Sequence, residues 1–307
     1  MKQGEKEGIL YAGIAYILWG ILTIYWKQIE HVAASEILAN RIFWSFWFML
    51  LVLLAGRKWN RFLESLVFMK HHPKTFAALT AASLLVSCNW FIYIWAVNSN
   101  KIVEASLGYY INPLVSILLG VIFIKEKLTR VQIGAFMLAM IGVLIMTLSY
   151  GQFPWIAFGV AITFGFYGLV KKLVQVDSAI GLTLETMIIM PVSFIYMLFL
   201  FKQEKLALFT ASLSTDLLLI ASGAITAIPL LYFAKGVQKV PLYIIGFMQY
   251  LTPTMTLLIG VLMYGEPFGT GKFVAFSFIW SALAILTLSS VKWSKFKGRK
   301  PRGRMAQ

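Results

Sequence analysis

The sequence predicts an all-α integral membrane protein whose ten transmembrane helices form two inverted five-helix repeats. Three observations support this fold class. Apolar residues come in blocks of about 18 to 23, close to the roughly 20 residues that one helix needs to cross a bilayer. A pattern of residues recurs after an interval of 140 positions. Lysine and arginine concentrate in every second connection between the blocks.

The composition excludes a soluble globular domain. Hydrophobic residues make up 60% of the chain and charged residues 13%, and the mean hydropathy is +0.80, whereas soluble domains have about 25% charged residues. A single cysteine, Cys88, excludes a disulfide within the chain, and the spacing of Cys and His does not predict a zinc site. We therefore expect neither a metal nor a cofactor.

Ten spans account for the apolar blocks. The first block follows a short charged segment, is long and lacks a small-residue cleavage site, so we expect a span rather than a signal peptide. The expected spans are 8–26, 36–55, 75–97, 102–124, 131–149, 153–170, 179–201, 213–234, 242–264 and 270–290.

The positions of lysine and arginine predict the orientation. With both termini on one side, that side receives 21 of the 27 Lys and Arg residues and the other side five, while Arg41 lies inside the second span. The positive-inside rule then places both termini in the cytoplasm. Topology thereby accounts for the net charge of +15, and we expect the basic tail at 292–307 to contact lipid headgroups rather than nucleic acid.

The two halves of the chain share a register of residues. Spans three to five overlay spans eight to ten, so the repeating unit has five spans, at 1–150 and 151–291, and this odd number inverts the second copy. The matched positions are Tyr110 with Tyr250, Asn112 with Thr252, Pro113 with Pro253, Gly120 with Gly260, Val121 with Val261 and Glu126 with Glu266.

Pro113 and Pro253 lie near the middle of their spans. A proline there donates no amide hydrogen and displaces the carbonyl four residues before it, and in hydrocarbon that carbonyl needs a partner. Both prolines are therefore candidates for helix breaks that take part in gating. Inverted repeats with broken helices are typical of secondary transporters, whose solute site lies between the halves. The sequence has no glycine-rich Gly-Lys-Ser/Thr loop, so we do not expect ATP to drive transport.

The order and spacing of several short motifs resemble a known family. Singly they are common strings of membrane residues, but together they cover nearly the whole chain. They are Glu36-Ile-Leu-Ala-Asn-Arg41, Asn89-Trp90, Trp95-Ala-Val-Asn98, Glu104-Ala-Ser-Leu-Gly-Tyr109, Ile111-Asn-Pro-Leu114, Phe166-Tyr-Gly-Leu-Val170, Leu184-Glu-Thr186, Pro229-Leu-Leu231, Gly246-Phe-Met-Gln-Tyr250, Pro253-Thr254 and Phe278-Ile-Trp280.

In this order the motifs resemble the drug/metabolite transporter superfamily, in its EamA branch, and within it the RarD-type permeases linked to chloramphenicol sensitivity. The resemblance implies ten helices in two EamA repeats, a place in the inner membrane and a permease role. The chain departs from the family pattern at Asn40, a position that is often histidine. Because asparagine does not titrate, the resemblance implies no proton relay at that position.

Two charged residues inside spans are candidates for transport, because a charge at the centre of an inserted helix costs about 2.5–3.5 kcal/mol. Glu185 lies about seven residues into its span, where a carboxyl group would suit proton coupling. The alternative is a hydrogen-bonded tie between helices. Arg41 is either a structural residue whose stem snorkels or the partner of a solute carboxylate or an outer glutamate.

The uncharged candidates combine amides with aromatic rings, a mixture that suits an amphipathic, aromatic or cationic organic solute. Glu36, Asn40 and Trp44 recur every four residues and share one helix face, which favours cavity lining over lipid contact. Trp26 is expected in the interfacial belt. The mid-span candidates are Asn89, Trp90, Tyr109, Tyr110, Asn112, Tyr167, Gln249 and Tyr250.

These observations predict a secondary permease that moves a small organic metabolite or drug by alternating access, driven by proton or solute exchange. A membrane-embedded enzyme is disfavoured, because all three histidines fall in predicted loops and no second carboxylate accompanies Glu185 in its span. An ion channel would need a re-entrant filter or a ring of like residues, and neither is visible. A lipid-carrier flippase stays open. The expected partners are the solute and the bilayer, and a homodimer is left open.

Overall fold

A computed structural model describes residues 3–99, 101–265 and 269–297, and every regular element in these ranges is a helix. Glu266 and most of the predicted basic tail lie outside the described residues. The helices are α1 (Gln3–Lys27), α2 (Ala34–Ala55), α3 (Trp59–His71), α4 (Pro73–Asn98), α5 (Ile102–Phe123), α6 (Arg130–Ser149), α7 (Trp155–Leu173), α8 (Ser178–Lys202), α9 (Leu213–Lys239), α10 (Leu242–Gln249), α11 (Leu251–Tyr264) and α12 (Thr270–Lys297).

The ten predicted spans are confirmed. Ten segments of the described chain are long and apolar enough to cross a membrane, and α10 and α11 together form one of them. Helices α1, α2, α4, α5 and α6 make up the first repeat, and α7, α8, α9, α10–α11 and α12 make up the second. We call the side at which α1 begins the terminal face, and the other side the opposite face. Because consecutive spans alternate in direction, α2 begins at the opposite face and α12 ends at the terminal face.

Contacts between the helices follow the inversion. Helix α1 packs against α9, and α7, the counterpart of α1, packs against α4, the counterpart of α9. In the same way α5 packs against α7, and α11 packs against α1. Helices α2 and α8 meet each other, as do α6 and α12. The two repeats therefore interlock, and the interior of the protein is built from both of them.

One contact between the repeats is made backbone to backbone. A Cβ atom built on Gly223 of α9 would lie 2.3 Å from the carbonyl carbon of Trp44 in α2, so only glycine fits there. The hydroxyl of Ser45 donates a hydrogen bond of 2.9 Å to the carbonyl oxygen of Gly223. Small residues of this kind let membrane helices approach closely, and the contact fixes the position of α2.

Helix α3 was not predicted, because it is too short to be a span and lies in the long connection between the second and third spans. It is amphipathic. Phe62 and Met69 are buried against the bundle, whereas Trp59, Leu63 and Val67 form an exposed apolar stripe at helical spacing. A helix with this pattern lies in the plane of the membrane interface, here at the terminal face.

The two repeat prolines differ in their surroundings. Helix α5 runs through Pro113 without interruption, so the predicted break at this residue is wrong. Loss of one hydrogen bond does not end a helix that neighbouring helices support, and α5 packs against α7 and α10. The ninth span is interrupted at Tyr250, between α10 and α11. Pro253 follows in the first turn of α11, where its missing amide hydrogen costs no helical bond.

Candidate functional site

Arg41 of α2 lies between two indole rings. Its guanidinium carbon is 4.6 Å from the centroid of the Trp26 ring and 5.1 Å from that of Trp90. Its Nε donates a hydrogen bond of 3.0 Å to the hydroxyl of Thr226. Among the described residues, no carboxylate lies within the 4.0 Å of an ion pair with this side chain. The arginine is thus oriented by rings and a hydroxyl, without a counter-charge from this part of the chain.

Tyrosines extend the aromatic wall around this cation. The rings of Tyr93 and Tyr109 are 5.7 Å apart, and both phenols lie close enough to Arg41 to interact with its charge. Tyr109 belongs to a span that packs within the bundle, yet 39% of its surface is exposed. We call the space bordered by Trp26, Arg41, Trp90, Tyr93 and Tyr109 the Arg41 cleft.

Trp26, predicted as an interfacial belt residue, is half-buried and lies against the guanidinium of Arg41. The interfacial expectation followed from its place at the end of α1. The long stem of Arg41 reaches this ring from the neighbouring helix, a contact that sequence distance does not reveal.

Glu36, Asn40 and Trp44 do share one face of α2, and they bond mainly to protein groups. The carboxylate of Glu36 accepts the amide hydrogens of Ala207 and Leu208, at 2.8 and 3.0 Å. The Asn40 amide donates to the Glu36 carbonyl at 3.1 Å, and the Trp44 indole donates to Asn40 at 3.2 Å. Glu36 and Asn40 are almost fully buried. This face therefore joins α2 to the segment before α9, and its polar groups are already used.

A narrow cavity lies on the terminal side of Trp90. Trp90 borders both this cavity and the Arg41 cleft, and Ser45, Tyr167 and Glu185 are among the other residues that line the cavity. Its volume is about 10 Å³, which is roughly the space that one water requires. In this conformation the cavity is too narrow for an organic solute.

Glu185 forms a buried ion pair at the terminal side of the cavity. Its Oε1 lies 2.7 Å from the Nζ of Lys171, and the two side chains are only 2% and 4% exposed. The hydroxyl of Tyr167 donates to Oε2 at 3.2 Å. Ser83 of α4 donates to the Glu185 backbone carbonyl at 2.7 Å. The carboxylate is thus held by a cation and a phenol from α7, and its backbone by α4.

The remaining candidates are distributed over other contacts. Asn89 donates to the Val160 carbonyl at 2.7 Å and ties α4 to α7. Gln249 accepts a hydrogen bond of 3.0 Å from Ser116. Tyr110 packs edge-on against the Phe276 ring, with centroids 5.4 Å apart. None of these contacts involves the Arg41 cleft.

Asn112 and Tyr250 are buried, and the Asn112 Oδ1 and the Tyr250 hydroxyl have no hydrogen-bond partner within the described chain. Buried polar groups of this kind are usually satisfied by ordered water. In the same described ranges, no three His, Cys, Asp or Glu side chains lie close enough together to hold a metal ion.

A glutamate joins two spans at the terminal face. Both carboxylate oxygens of Glu126 accept backbone amide hydrogens at the start of α10, from Leu242 at 2.6 Å and from Tyr243 at 2.9 Å. The carboxylate lies against Gly120, where a Cβ would come within 2.6 Å of Glu126 Oε2. A negative charge at a helix N terminus also favours the helix dipole. The end of the fourth span is thereby bound to the start of the ninth.

Three residues of the site were missed by the sequence analysis, namely Lys171, Tyr93 and Thr226. Lys171 was assigned to a cytoplasmic connection, although it follows the candidate Tyr167 by one helical turn. Tyr93 follows Trp90 by three residues and therefore shares its helix face. Helical spacing from known candidates could have found both, but Thr226 lies in another helix and has no such signal.

Comparison with known proteins identifies relatives over the whole fold. A sequence profile of the EamA-like transporter family matches residues 6–148. The chain is 48% identical over 296 residues to the "uncharacterized transporter YojE" of Bacillus subtilis, covering 96% of this chain and 98% of the relative. It is 41% identical over 286 residues to "Protein RarD" of Escherichia coli K12, covering 93% and 95%.

Two more distant matches extend the comparison. The "chloramphenicol-sensitive protein RarD" of Pseudomonas aeruginosa is 25% identical over 294 residues, covering 96% of this chain and 98% of that protein. A solved structure, described only as the crystal structure of a protein, superposes with a TM-score of 0.66 at 18% identity. It covers 92% of this chain and 97% of its own, and this likeness shows the fold alone.

Proposed function

Since the chain belongs to the EamA-like transporter family, in its RarD-type branch, we propose that this membrane permease moves a small organic solute by alternating access. One observation carries the proposal, namely that charged side chains lie inside a bundle whose interior is built from both inverted repeats. Arg41 lies between helices toward the opposite face, and the Lys171–Glu185 ion pair is buried toward the terminal face. A solute site that faces one side at a time is the arrangement expected of inverted-repeat transporters.

The terminal face is the cytoplasmic face in this proposal, and the membrane is the plasma membrane. Exposed basic side chains at and around α3 support this orientation, among them Arg57, Arg61, Lys70 and Lys74. The Arg41 cleft then lies toward the outside. A reporter that is active only in the cytoplasm, fused after residue 307, tests the orientation, and an inactive fusion would contradict it.

The Lys171–Glu185 ion pair supports proton coupling through Glu185. A proton that binds the carboxylate removes its negative charge and leaves the Lys171 ammonium buried without a counter-charge. Such a charge is costly in a low dielectric, so protonation favours a rearrangement that gives Lys171 access to water at the terminal face. Release of the proton there restores the pair. The competing explanation is that the pair only ties α7 to α8.

Proton movement in proteoliposomes distinguishes these explanations. The purified protein is reconstituted with a pH-sensitive dye, and amino acids, amines, organic acids and amphipathic drugs including chloramphenicol are added. A coupled permease gives solute-dependent proton flux that Glu185→Gln abolishes. Solute uptake that is equal in the native protein and in Glu185→Gln, with no proton flux in either, would reduce the pair to a structural tie. Lys27→Gln is the control, because Lys27 belongs to an exposed pair with Glu30.

A further inference from the structure

We propose that the solute bound in the Arg41 cleft is an organic anion, with a carboxylate or a group of similar geometry attached to an apolar body. This inference rests on the proposed permease function and names the solute class of the same site. It differs from the sequence-based expectation, which included cationic solutes because of the aromatic rings.

Arg41 is a cation without a counter-charge from the described chain. An arginine side chain stays protonated in proteins, so the cleft carries a positive charge inside a span. Five acidic residues of the described chain lie toward the same face, and none is within the 4.0 Å of an ion pair with Arg41. Glu30 pairs with Lys27, Asp216 accepts the Phe209 amide hydrogen, and Glu204 is exposed. The other two bind backbone amides. Glu36 accepts the Ala207 amide hydrogen at 2.8 Å, and Glu104 accepts the Ile156 amide hydrogen at 2.8 Å. Each caps the backbone of another segment, so neither neutralises Arg41.

Most hydrogen-bond donors of Arg41 point to no acceptor in the described chain. A guanidinium has five N–H donors in a planar fork, and Thr226 accepts only the one at Nε. In the described structure, the terminal nitrogens of Arg41 have no hydrogen-bond acceptor. These nitrogens offer the edge that binds a carboxylate through two parallel hydrogen bonds. Contacts with the Trp26 and Trp90 rings, together with the hydrogen bond from Nε to Thr226, restrict the position of the guanidinium before a ligand arrives.

Aromatic rings border the same space as that edge. The exposed ring of Tyr109, with Tyr93 beside it, gives the cleft an aromatic surface. An apolar body packs on such rings while its anionic group meets Arg41. An ammonium group in the same place would be repelled by the guanidinium, so the cleft selects against amines. Charge complementarity therefore determines which solutes bind.

Binding of three matched compounds tests the proposal without requiring transport. Phenylacetate, phenylacetamide and phenethylamine share one ring and differ in charge at the end of a short chain. Affinity for the purified native protein is measured by the shift of its thermal unfolding midpoint with ligand concentration. We expect phenylacetate to bind about tenfold more tightly than the amide, and the amine to bind most weakly. Equal or weaker binding of phenylacetate than of phenylacetamide would overturn the proposal.

Variants then assign the preference to Arg41. Arg41→Gln should bind phenylacetate and phenylacetamide equally, and Arg41→Lys, which keeps the charge but loses the fork, should show an intermediate preference. Lys101→Gln is the matched control, because Lys101 is an exposed cation 5.8 Å from the Trp95 ring and should keep the native preference. A carboxylate preference that survives in a folded Arg41→Gln protein would refute the assignment.

The two proposals fail separately. A protein that binds phenylacetate selectively but moves no solute in proteoliposomes would contradict the permease function and leave the anion site. A protein that transports amines or neutral drugs, and that binds phenylacetate no better than its amide, would contradict the anion site and leave the permease function.

Discussion

Replacing Glu185 by glutamine leaves the Lys171 ammonium buried without a counter-charge. At the observed 2.7 Å, two unit charges attract by about 6 kcal/mol in an effective dielectric of 20. Desolvation of both charges offsets much of this attraction, so the intact pair contributes little net stability. Removal of one partner is different, since it keeps the desolvation cost of the other. We expect Glu185→Gln and Lys171→Met each to lower the unfolding free energy by about 3–5 kcal/mol.

The double variant Lys171→Met/Glu185→Gln carries neither charge, and it should recover most of that loss. Glutamine also keeps an oxygen acceptor for the hydroxyl of Tyr167, which bonds Glu185 in the native protein. The assay is unfolding by sodium dodecyl sulfate in mixed micelles, followed by circular dichroism. Lys27→Gln is the control. Its pair with Glu30 is more than half exposed, so the change should stay within about 1 kcal/mol.

Additivity would refute this reasoning. If the double variant loses as much free energy as the two single variants combined, the two charges do not interact in the folded protein. A loss below about 1 kcal/mol in both single variants would show that water reaches the pair, because exposed pairs have effects of that size.

Three further changes have defined outcomes in the same assay. Glu126→Gln weakens the charged hydrogen bonds to the start of α10 and should cost about 1–2 kcal/mol. Gly223→Ala should lower stability by about 3 kcal/mol or prevent folding, because its Cβ would overlap the Trp44 backbone; unchanged stability would contradict this contact. Partial burial raises the pKa of Asp177, but the ion pair with Lys58 and the capped amides of α8 outweigh it, so the pKa lies below its usual value. Ionised Asp177 therefore stabilises the fold above about pH 4. This contribution to the unfolding free energy is lost as the pH falls through the lowered pKa. The variant Asp177→Asn should remove that pH dependence.

The spans could be predicted because the length of an apolar block is set by the bilayer and not by tertiary contacts. The inversion followed from an odd number of spans per repeat. Helix α3 was missed because its apolar residues recur at helical spacing but never form a block long enough to cross the bilayer. Pro113 was misjudged because the support that a helix receives from its neighbours is a property of packing.

The site was only partly predictable. Arg41 and Glu185 stand out in sequence, because charges inside spans are costly. Their partners do not stand out, because Trp26 and Lys171 lie at helix ends. A tryptophan there is usually assigned to the interfacial belt, and a lysine there to a loop that sets the orientation. For Glu36 and Asn40, helical spacing identified a shared polar face. It could not reveal that the carboxylate of Glu36 binds the backbone of Ala207 and Leu208, because these residues are distant in sequence.

The narrow space between Trp90 and Glu185 bears on how this protein behaves when no solute is bound. A passage that closes to the size of one water cannot carry a hydrated ion, and a bare ion would lose its hydration shell among mostly apolar walls. In this conformation the cavity therefore offers no path for a hydrated ion, and a membrane that holds many copies of the protein does not lose its potential through this space.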